Sequence, residues 1–397
     1  MKDSTPRSAK RLTEFQEYFF SKANKLITEV ETETGIKVIN LGIGSPDLPP
    51  PVEIVAALKK ELDNPNNHKY PSYNGDPELK EAIASYYLRR FKVNLNQAEI
   101  LPLIGSKEGL VNACLAFLNP DDYALVPDPG YPAYSAGPLL AGAKLMKYLL
   151  KAENNYLPDL KEIEKLDLAK VKVWWLGYPN NPTGAVASLE DLERYVEFAK
   201  KNNLLIFYDN PYSDVYFSVV KPPSILEIKG AKDIAIEFNS FSKLYNLAGW
   251  RVGMAISSKE LITPLVKVKS NIDTGIFTAL QKAIAFGLNE LDPSWIEERN
   301  SVYKKRADYL YKKLKELDFA VTMPQASLYI WAKSPKLGST EDLAFKIIKE
   351  VQVFITPGTA FGEQGESYFR FSLCQPLEVL EVALERLSKY FKVFKPV

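Results

Sequence analysis

The chain has 397 residues, 46% of them apolar, with 50 Lys and Arg against 49 Asp and Glu. That length exceeds one ordinary core and predicts a two-domain α/β protein with a large buried interior. Scattered, balanced charge excludes the basic face that nucleic acid requires, the single histidine excludes a multi-histidine metal site, and two cysteines cannot form a disulfide framework.

In chain order, Met1–Arg11 is polar and lacks the apolar run of a signal peptide. No stretch approaches the roughly 20 apolar residues that span a bilayer, so a cytoplasmic protein with no membrane partner is expected. A helix is expected over about Thr13–Val30. His68, beside Asn66, Asn67 and Lys69, reads as a polar loop residue. Short β-branched or aromatic runs then predict strands at Ile100–Ile104, Tyr123–Val126, Val171–Leu176, Leu204–Tyr208 and Ile234–Phe238. Helical patterns lie between several of them. Ser188 with Asp191 forms a capping-box start, after which Leu189, Leu192, Val196 and Ala199 keep one apolar face. Strands alternating with helices imply a mainly parallel sheet covered on both faces.

Beyond Asp292 the pattern changes. A long helix is predicted from Pro293 to about Leu317, with Trp295, Val302, Tyr309 and Leu317 near one stripe. A strand at Leu328–Ala332, a helix at Thr340–Glu350, strands near Val351–Ile355 and Tyr368–Leu373 and a closing helix from Pro376 follow. This predicts a large domain over 46–290 and a smaller α+β domain from 1–45 and 291–397, with the N-terminal helix against the smaller one. Cys114, inside the apolar run Leu110–Leu118, and Cys374, just after a strand, read as buried thiols in a reducing compartment.

Ligands in open α/β sheets bind at the carboxyl ends of the strands, so the residues following each strand locate a site. The first strand runs into Gly105-Ser106-Lys107, and the third into Gly177 through Gly184, with Asn180, Asn181 and Thr183. The fourth runs into Asp209-Asn210-Pro211-Tyr212, and the fifth into Asn239-Ser240-Phe241-Ser242-Lys243. Taken singly, these have plainer readings as an N-cap, a turn, a capping carboxylate and a solvated lysine. Their convergence argues for a site: N–H groups at a helix start suit phosphate, and a lysine among Phe241, Leu244, Leu247 and Trp250 suits imine chemistry. No GxGxxG or GxxxxGK[ST] pattern occurs, and Gly42-x-Gly44 runs into Pro46 and Pro49-Pro50-Pro51, which cannot open a helix.

Ser240-x-x-Lys243 followed by Gly249-Trp250-Arg251 resembles the cofactor-lysine signature of fold-type I, class I/II aminotransferases. The likeness runs along most of the chain through Gly44-Ser45-Pro46-Asp47, Lys69-Tyr70-Pro71-x-x-x-Gly75, Gly105-Ser106-Lys107, Pro129-Gly130-Tyr131-Pro132, Asn181-Pro182-Thr183-Gly184, Asp209-x-x-Tyr212 and Arg370. It implies the pyridoxal-phosphate (PLP) transferase fold: a large domain with a mostly parallel sheet sandwiched by helices, plus a smaller α+β domain. It implies that Lys243 carries PLP as a Schiff base and moves the substrate proton, that Asp209 pairs with the pyridine nitrogen, and that Tyr212 and Asn181 bond the phenolic oxygen. Tyr131 would stack on the ring. Gly105, Ser106, Lys107, Ser240, Ser242 and Arg251 would hold the phosphate, with Tyr70 reaching it from a second subunit of a homodimer with shared sites. Arg370 would clamp the substrate α-carboxylate, with Gly44 and Asn181 beside it; taken alone, Arg251 and Arg370 read equally well as structural ion pairs.

The implied activity is exchange of an amino group between an L-amino acid and a 2-oxo acid, with no metal. Tyr131 stands where many aspartate aminotransferases carry Trp, and residues 271–281 contain no arginine for a distal carboxylate, a task open to Lys107. Ile104 through Gly109, Asp128 through Pro132 and Lys269 through Gly275 are similar to the LL-diaminopimelate and alanine/aspartate-type branch. Two other functions fit the same scaffold: β-elimination from a sulfur amino acid, separated by release of pyruvate and ammonia, and a PLP-binding regulator, which needs a DNA-binding module for which the segment before Gly44 is too short.

Overall fold

Trp174 and Trp175 are neighbours in sequence, both are fully buried, and they belong to two different apolar clusters. Successive side chains of a strand point to opposite faces, so this strand is covered on both sides. The computed structural model, which describes residues 9–15, 19–336 and 338–392, builds this arrangement across the centre of the chain.

The strands in chain order are β1 (Ile39–Asn40), β2 (Ile100–Leu103), β3 (Tyr123–Asp128), β4 (Lys144–Leu149), β5 (Val171–Gly177), β6 (Leu205–Asp209), β7 (Ala235–Ser240) and β8 (Gly253–Ile256). They continue with β9 (Ala320–Val321), β10 (Tyr329–Lys333), β11 (Val353–Phe354), β12 (Thr356–Pro357) and β13 (Tyr368–Ser372). The large sheet has the order β2-β8-β7-β6-β5-β3-β4, and β8 alone runs antiparallel to its neighbours. One face packs against helices Pro77–Phe91, Leu189–Lys201 and Thr278–Glu290, the other against Ser106–Phe117, Ala133–Leu140 and Lys259–Lys269. The Ser188–Asp191 capping box is present, with both reciprocal bonds.

Register aligns the strand ends that matter. Gly177 pairs with Asp209, Asp209 with Phe238, and Gly253 with both Leu103 and Ser240. The residues just past β2, β5, β6 and β7 therefore emerge along one edge of the sheet.

The second unit is a four-stranded antiparallel sheet, β12-β13-β10-β9, packed on helices Ser294–Glu316, Thr340–Val351 and Leu377–Lys392. The chain's beginning joins it: β1 pairs with β11, and Ala23 and Val30 of helix Phe19–Thr34 pack with Ile348 and Phe354. Among the described residues, no helix is long and apolar enough to cross a membrane.

Several expectations shift. The N-terminal helix spans Phe19–Thr34 rather than Thr13–Val30; Lys10–Glu14 forms a separate 3-10 turn, and residues 16–18 lie outside the described set. On the long helix the buried stripe is Tyr303, Ala307, Leu310 and Leu314, not the stripe through Val302 and Tyr309. Polar Arg299, Asn300 and Arg306 are buried on that helix too, which conceals the stripe from a search for apolar residues. Val351 closes the helix, leaving only Val353–Phe354 as strand. Cys114 and Cys374 are buried as expected, and burial pushes both thiols up, Cys374 to about 11.

Candidate active site

Strand β7 is buried throughout and ends at Ser240, whose side chain accepts from the Ser242 N–H at 3.2 Å and starts a single helical turn, Phe241–Leu244. Phe241 and Leu244 anchor the turn in the core, which turns Lys243 the other way, into a cavity. The turn's far end is fixed by Arg299, whose guanidinium donates to the carbonyls of Lys243 and Leu244, each at 2.6 Å. Lys243 Nζ donates to the Gly44 carbonyl at 2.7 Å.

The cavity is about 400 Å³ in volume and receives side chains from every strand end noted above. Gly44, Ser106, Lys107, Tyr131, Asn181, Asp209, Tyr212, Ser240, Ser242, Lys243, Arg251 and Arg370 all line it. Gly105 does not line it, though it abuts the lining residue Arg251. Tyr70 does not line it and is 89% exposed.

Asp209, at the end of β6, is 6% exposed. Its Oδ2 accepts from Tyr134 Oη at 2.8 Å, and the Tyr134 ring is stacked on Trp175 at 4.9 Å between centroids. Its Oδ1 is buried with no hydrogen-bond partner among the described residues. Burial raises the carboxyl to about 7, although the Tyr134 bond pulls the other way. A cationic N–H at Oδ1 would supply the missing partner and restore the carboxylate.

A second cluster collects donors. Ser106 opens helix Ser106–Phe117, so its first N–H groups and the positive end of the dipole face the cavity. Gly105 takes φ +75°, and a side chain there would run into the Arg251 guanidinium, with Cβ 2.3 Å from Nη2. Arg251 Nη1 donates to the Ala248 carbonyl at 2.9 Å and approaches Ser242 Oγ at 3.5 Å. Below the helix start, buried Lys269 bridges Glu108 (3.2 Å) and Asp273 (2.7 Å), and Glu108 also accepts from the Ile104 N–H. Free N–H groups, the serines Ser106, Ser240 and Ser242, Lys107 and Arg251 fit a phosphate group.

Arg370 lies in β13 and is 4% exposed. Nη1 donates to Asn181 Oδ1 at 2.8 Å and Nη2 to the Gly42 carbonyl at 2.5 Å, whereas Nε is buried without a partner among the described residues. Its guanidinium lies over the rings of Tyr329, at 4.0 Å, and Phe361, at 4.6 Å. Asn181 and Arg370 were expected to act at one substrate, and here they touch.

An unpaired buried carboxylate oxygen, a phosphate-type donor cluster and an amine in one cavity fit a phosphorylated pyridine, the group that the sequence motifs imply. Tyr134, Tyr329, Phe361 and Arg299 escaped the sequence reading. The first three look like ordinary core aromatics, and their only signal was proximity to Tyr131, to the β10 strand and to Arg370. Arg299 carried no signal in the sequence.

Fold and cavity together define a PLP-dependent enzyme of the aminotransferase type. The model of the family "Aminotransferase class I and II" matches residues 36–387, and the chain belongs to that family. It is 45% identical over 379 residues to the LL-diaminopimelate aminotransferase of Aquifex aeolicus, covering 95% of this chain and 97% of the relative. The LL-diaminopimelate aminotransferase of Dehalococcoides mccartyi strain CBDB1 is 44% identical, over 97% of this chain and 99% of that one. Among solved structures, substrate-bound BacF from Bacillus subtilis superposes with a TM-score of 0.92 at 35% identity, covering 96% and 97% of the two chains. The chain is thus a PLP-dependent transaminase, exchanging an amino group between an amino acid and a 2-oxo acid. The β-elimination and regulator alternatives are not favoured, because the relatives are aminotransferases.

Proposed function

We propose that the enzyme takes LL-diaminopimelate as amino donor and works as a cytoplasmic homodimer, with 46–290 as its cofactor-binding part and 1–45 with 291–397 as its smaller part. The observation that carries the site assignment is the shared cavity of Lys243 and the unpaired Asp209 Oδ1. The names and identities of the two relatives support the donor.

PLP, when bound, supplies a conjugated ring that takes up the electron pair left when the substrate Cα loses its proton. Lys243 would hold the cofactor, and its amine, once the substrate's amino group has displaced it, would accept the substrate Cα proton and carry it. Asp209 pairs with the ring nitrogen and keeps it protonated, a role that matches its one unpaired oxygen. Tyr212 and Asn181 donate to the phenolic oxygen; with Asn181 Oδ1 engaged by Arg370, its amide N–H is the group left for this. Tyr131 covers the ring face. Gly105, Ser106, Lys107, Ser240, Ser242 and Arg251 hold the phosphate. Arg370 binds the substrate α-carboxylate beside Gly44, and its buried, unpaired Nε supports that role. Tyr70 reaches the phosphate of a partner copy, a role its 89% exposure permits.

The test is a donor panel with holoenzyme, comparing LL-diaminopimelate, aspartate, alanine and glutamate, with every product quantified. LL-diaminopimelate should show the highest kcat/KM, with one new amino acid formed per donor consumed. A tenfold or greater preference for another donor would overturn the substrate, and pyruvate with ammonia from a sulfur amino acid would overturn the reaction.

A further inference from the structure

We propose that Tyr329 is a positioning residue that ties the carboxylate clamp to the cofactor's phenolic oxygen, its ring supporting Arg370 and its hydroxyl supporting Tyr212. The inference rests on the roles proposed above for Arg370 and Tyr212, and adds a residue that connects them.

Tyr329 opens strand β10, where pairing with β13 sets it opposite Ser372, two residues beyond Arg370. It is 4% exposed, lines the cavity, and makes two different contacts there. The Arg370 guanidinium lies 4.0 Å from its ring centroid. Its Oη accepts from Tyr212 Oη at 3.1 Å, with the two rings edge to face at 75°. Gly44 is cut to the same shape: a Cβ at that position would sit 1.9 Å from Tyr329 Oη, so the segment passes Tyr329 there only without a side chain.

The two contacts have separate physical effects. A guanidinium over an aromatic face is attracted to it, and here Phe361 holds the same cation at 4.6 Å. The position of the fork is therefore fixed before a carboxylate arrives. The hydroxyl acts on Tyr212. When Tyr212 turns its O–H from Tyr329 to the phenolic oxygen, its own oxygen is left as an acceptor, and the Tyr329 hydroxyl, 3.1 Å away, rotates to donate to it. A donor feeding Tyr212 polarises its O–H and strengthens the bond onward. A phenylalanine would fill the space equally well, so the hydroxyl is what the Tyr212 contact requires.

The test compares loaded Tyr329→Phe, Tyr329→Leu and Tyr212→Phe with the parent enzyme, reading the pH midpoint of the bound cofactor's visible absorption and the KM for the amino donor. Tyr329→Phe should move the midpoint in the same direction as Tyr212→Phe, by about a third as much, with KM changed by less than about twofold. Tyr329→Leu should raise KM by roughly tenfold. If Tyr212→Phe moves the midpoint and Tyr329→Phe does not, the inference fails while the role of Tyr212 stands. If Tyr212→Phe leaves the midpoint unmoved, the underlying reading of Tyr212 fails and carries the inference with it. An unchanged KM in Tyr329→Leu overturns the ring's role; should that variant not load cofactor, Tyr329→Met is read by the same criterion.

Discussion

Tyr134 and Asp209 form a buried pair in which only one carboxylate oxygen is used: Oδ2 accepts from the phenol at 2.8 Å, and Oδ1 is left without a partner among the described residues. The structure thus maintains a carboxyl whose burial raises it to about 7. A group raised in the fold stabilises it below the unfolded value, near 3.9, and loses that contribution as pH climbs through the folded value. Cofactor-free protein should therefore lose Tm between about pH 4 and about pH 7. Glu237, also raised to about 7 by burial, adds to the same slope. Asp209→Asn should flatten the slope, measured by thermal unfolding across pH, and an unaltered slope would contradict the assignment.

In the proposed role Asp209 partners a cation once cofactor is bound, and removing one member of a buried ion pair is costly. Asp209→Ala should bind PLP weakly and lose kcat by roughly two orders of magnitude or more. Cofactor titration and steady-state kinetics check this; a parent-like rate would remove the ring-nitrogen role.

Arg370 presents a planar fork, a geometry that lysine's single ammonium lacks. Arg370→Lys should raise the KM for the amino donor by about tenfold or more, with the visible spectrum of the resting enzyme preserved. An unchanged KM would place the substrate carboxylate elsewhere.

How far the sequence reaches is set by which interactions are local. Lys243, Asp209 and Ser106 follow directly from reading past the ends of strands, because strand direction and the ligand edge are coupled. Strand β4 was missed because it is an edge, with Lys144 and Lys147 interrupting its apolar residues and most of its side chains wet or half-wet. Strand β8 was missed because it is four residues long and begins at Gly253, directly after the Arg251 motif. Tyr134, Tyr329 and Arg299 were invisible for another reason. Each acts on a residue distant in sequence, Asp209, Tyr212 or Lys243, and aromatic or basic residues in regular elements look like core or surface until the chain is folded. The Lys269–Glu108–Asp273 bridge has the same character, since its longer link spans 161 positions.

Tyr70 is 89% exposed and outside its own chain's cavity, with Tyr73 and Ile272 also exposed at 45% and 57%. If Tyr70 completes the site of a partner copy, inactive Tyr70→Ala and Lys243→Ala chains should regain partial activity when unfolded and refolded together, because mixed dimers contain one intact site. Strict failure of mixed dimers to recover activity would argue against Tyr70 crossing the interface.

The most direct test of the account is chemical. Holoenzyme reduced with borohydride, digested and mapped by mass spectrometry should carry the pyridoxyl group on Lys243 and on no other lysine, and Lys243→Ala should carry none and lose transamination by at least about a thousandfold. Label on a different lysine, or full activity in Lys243→Ala, would contradict it.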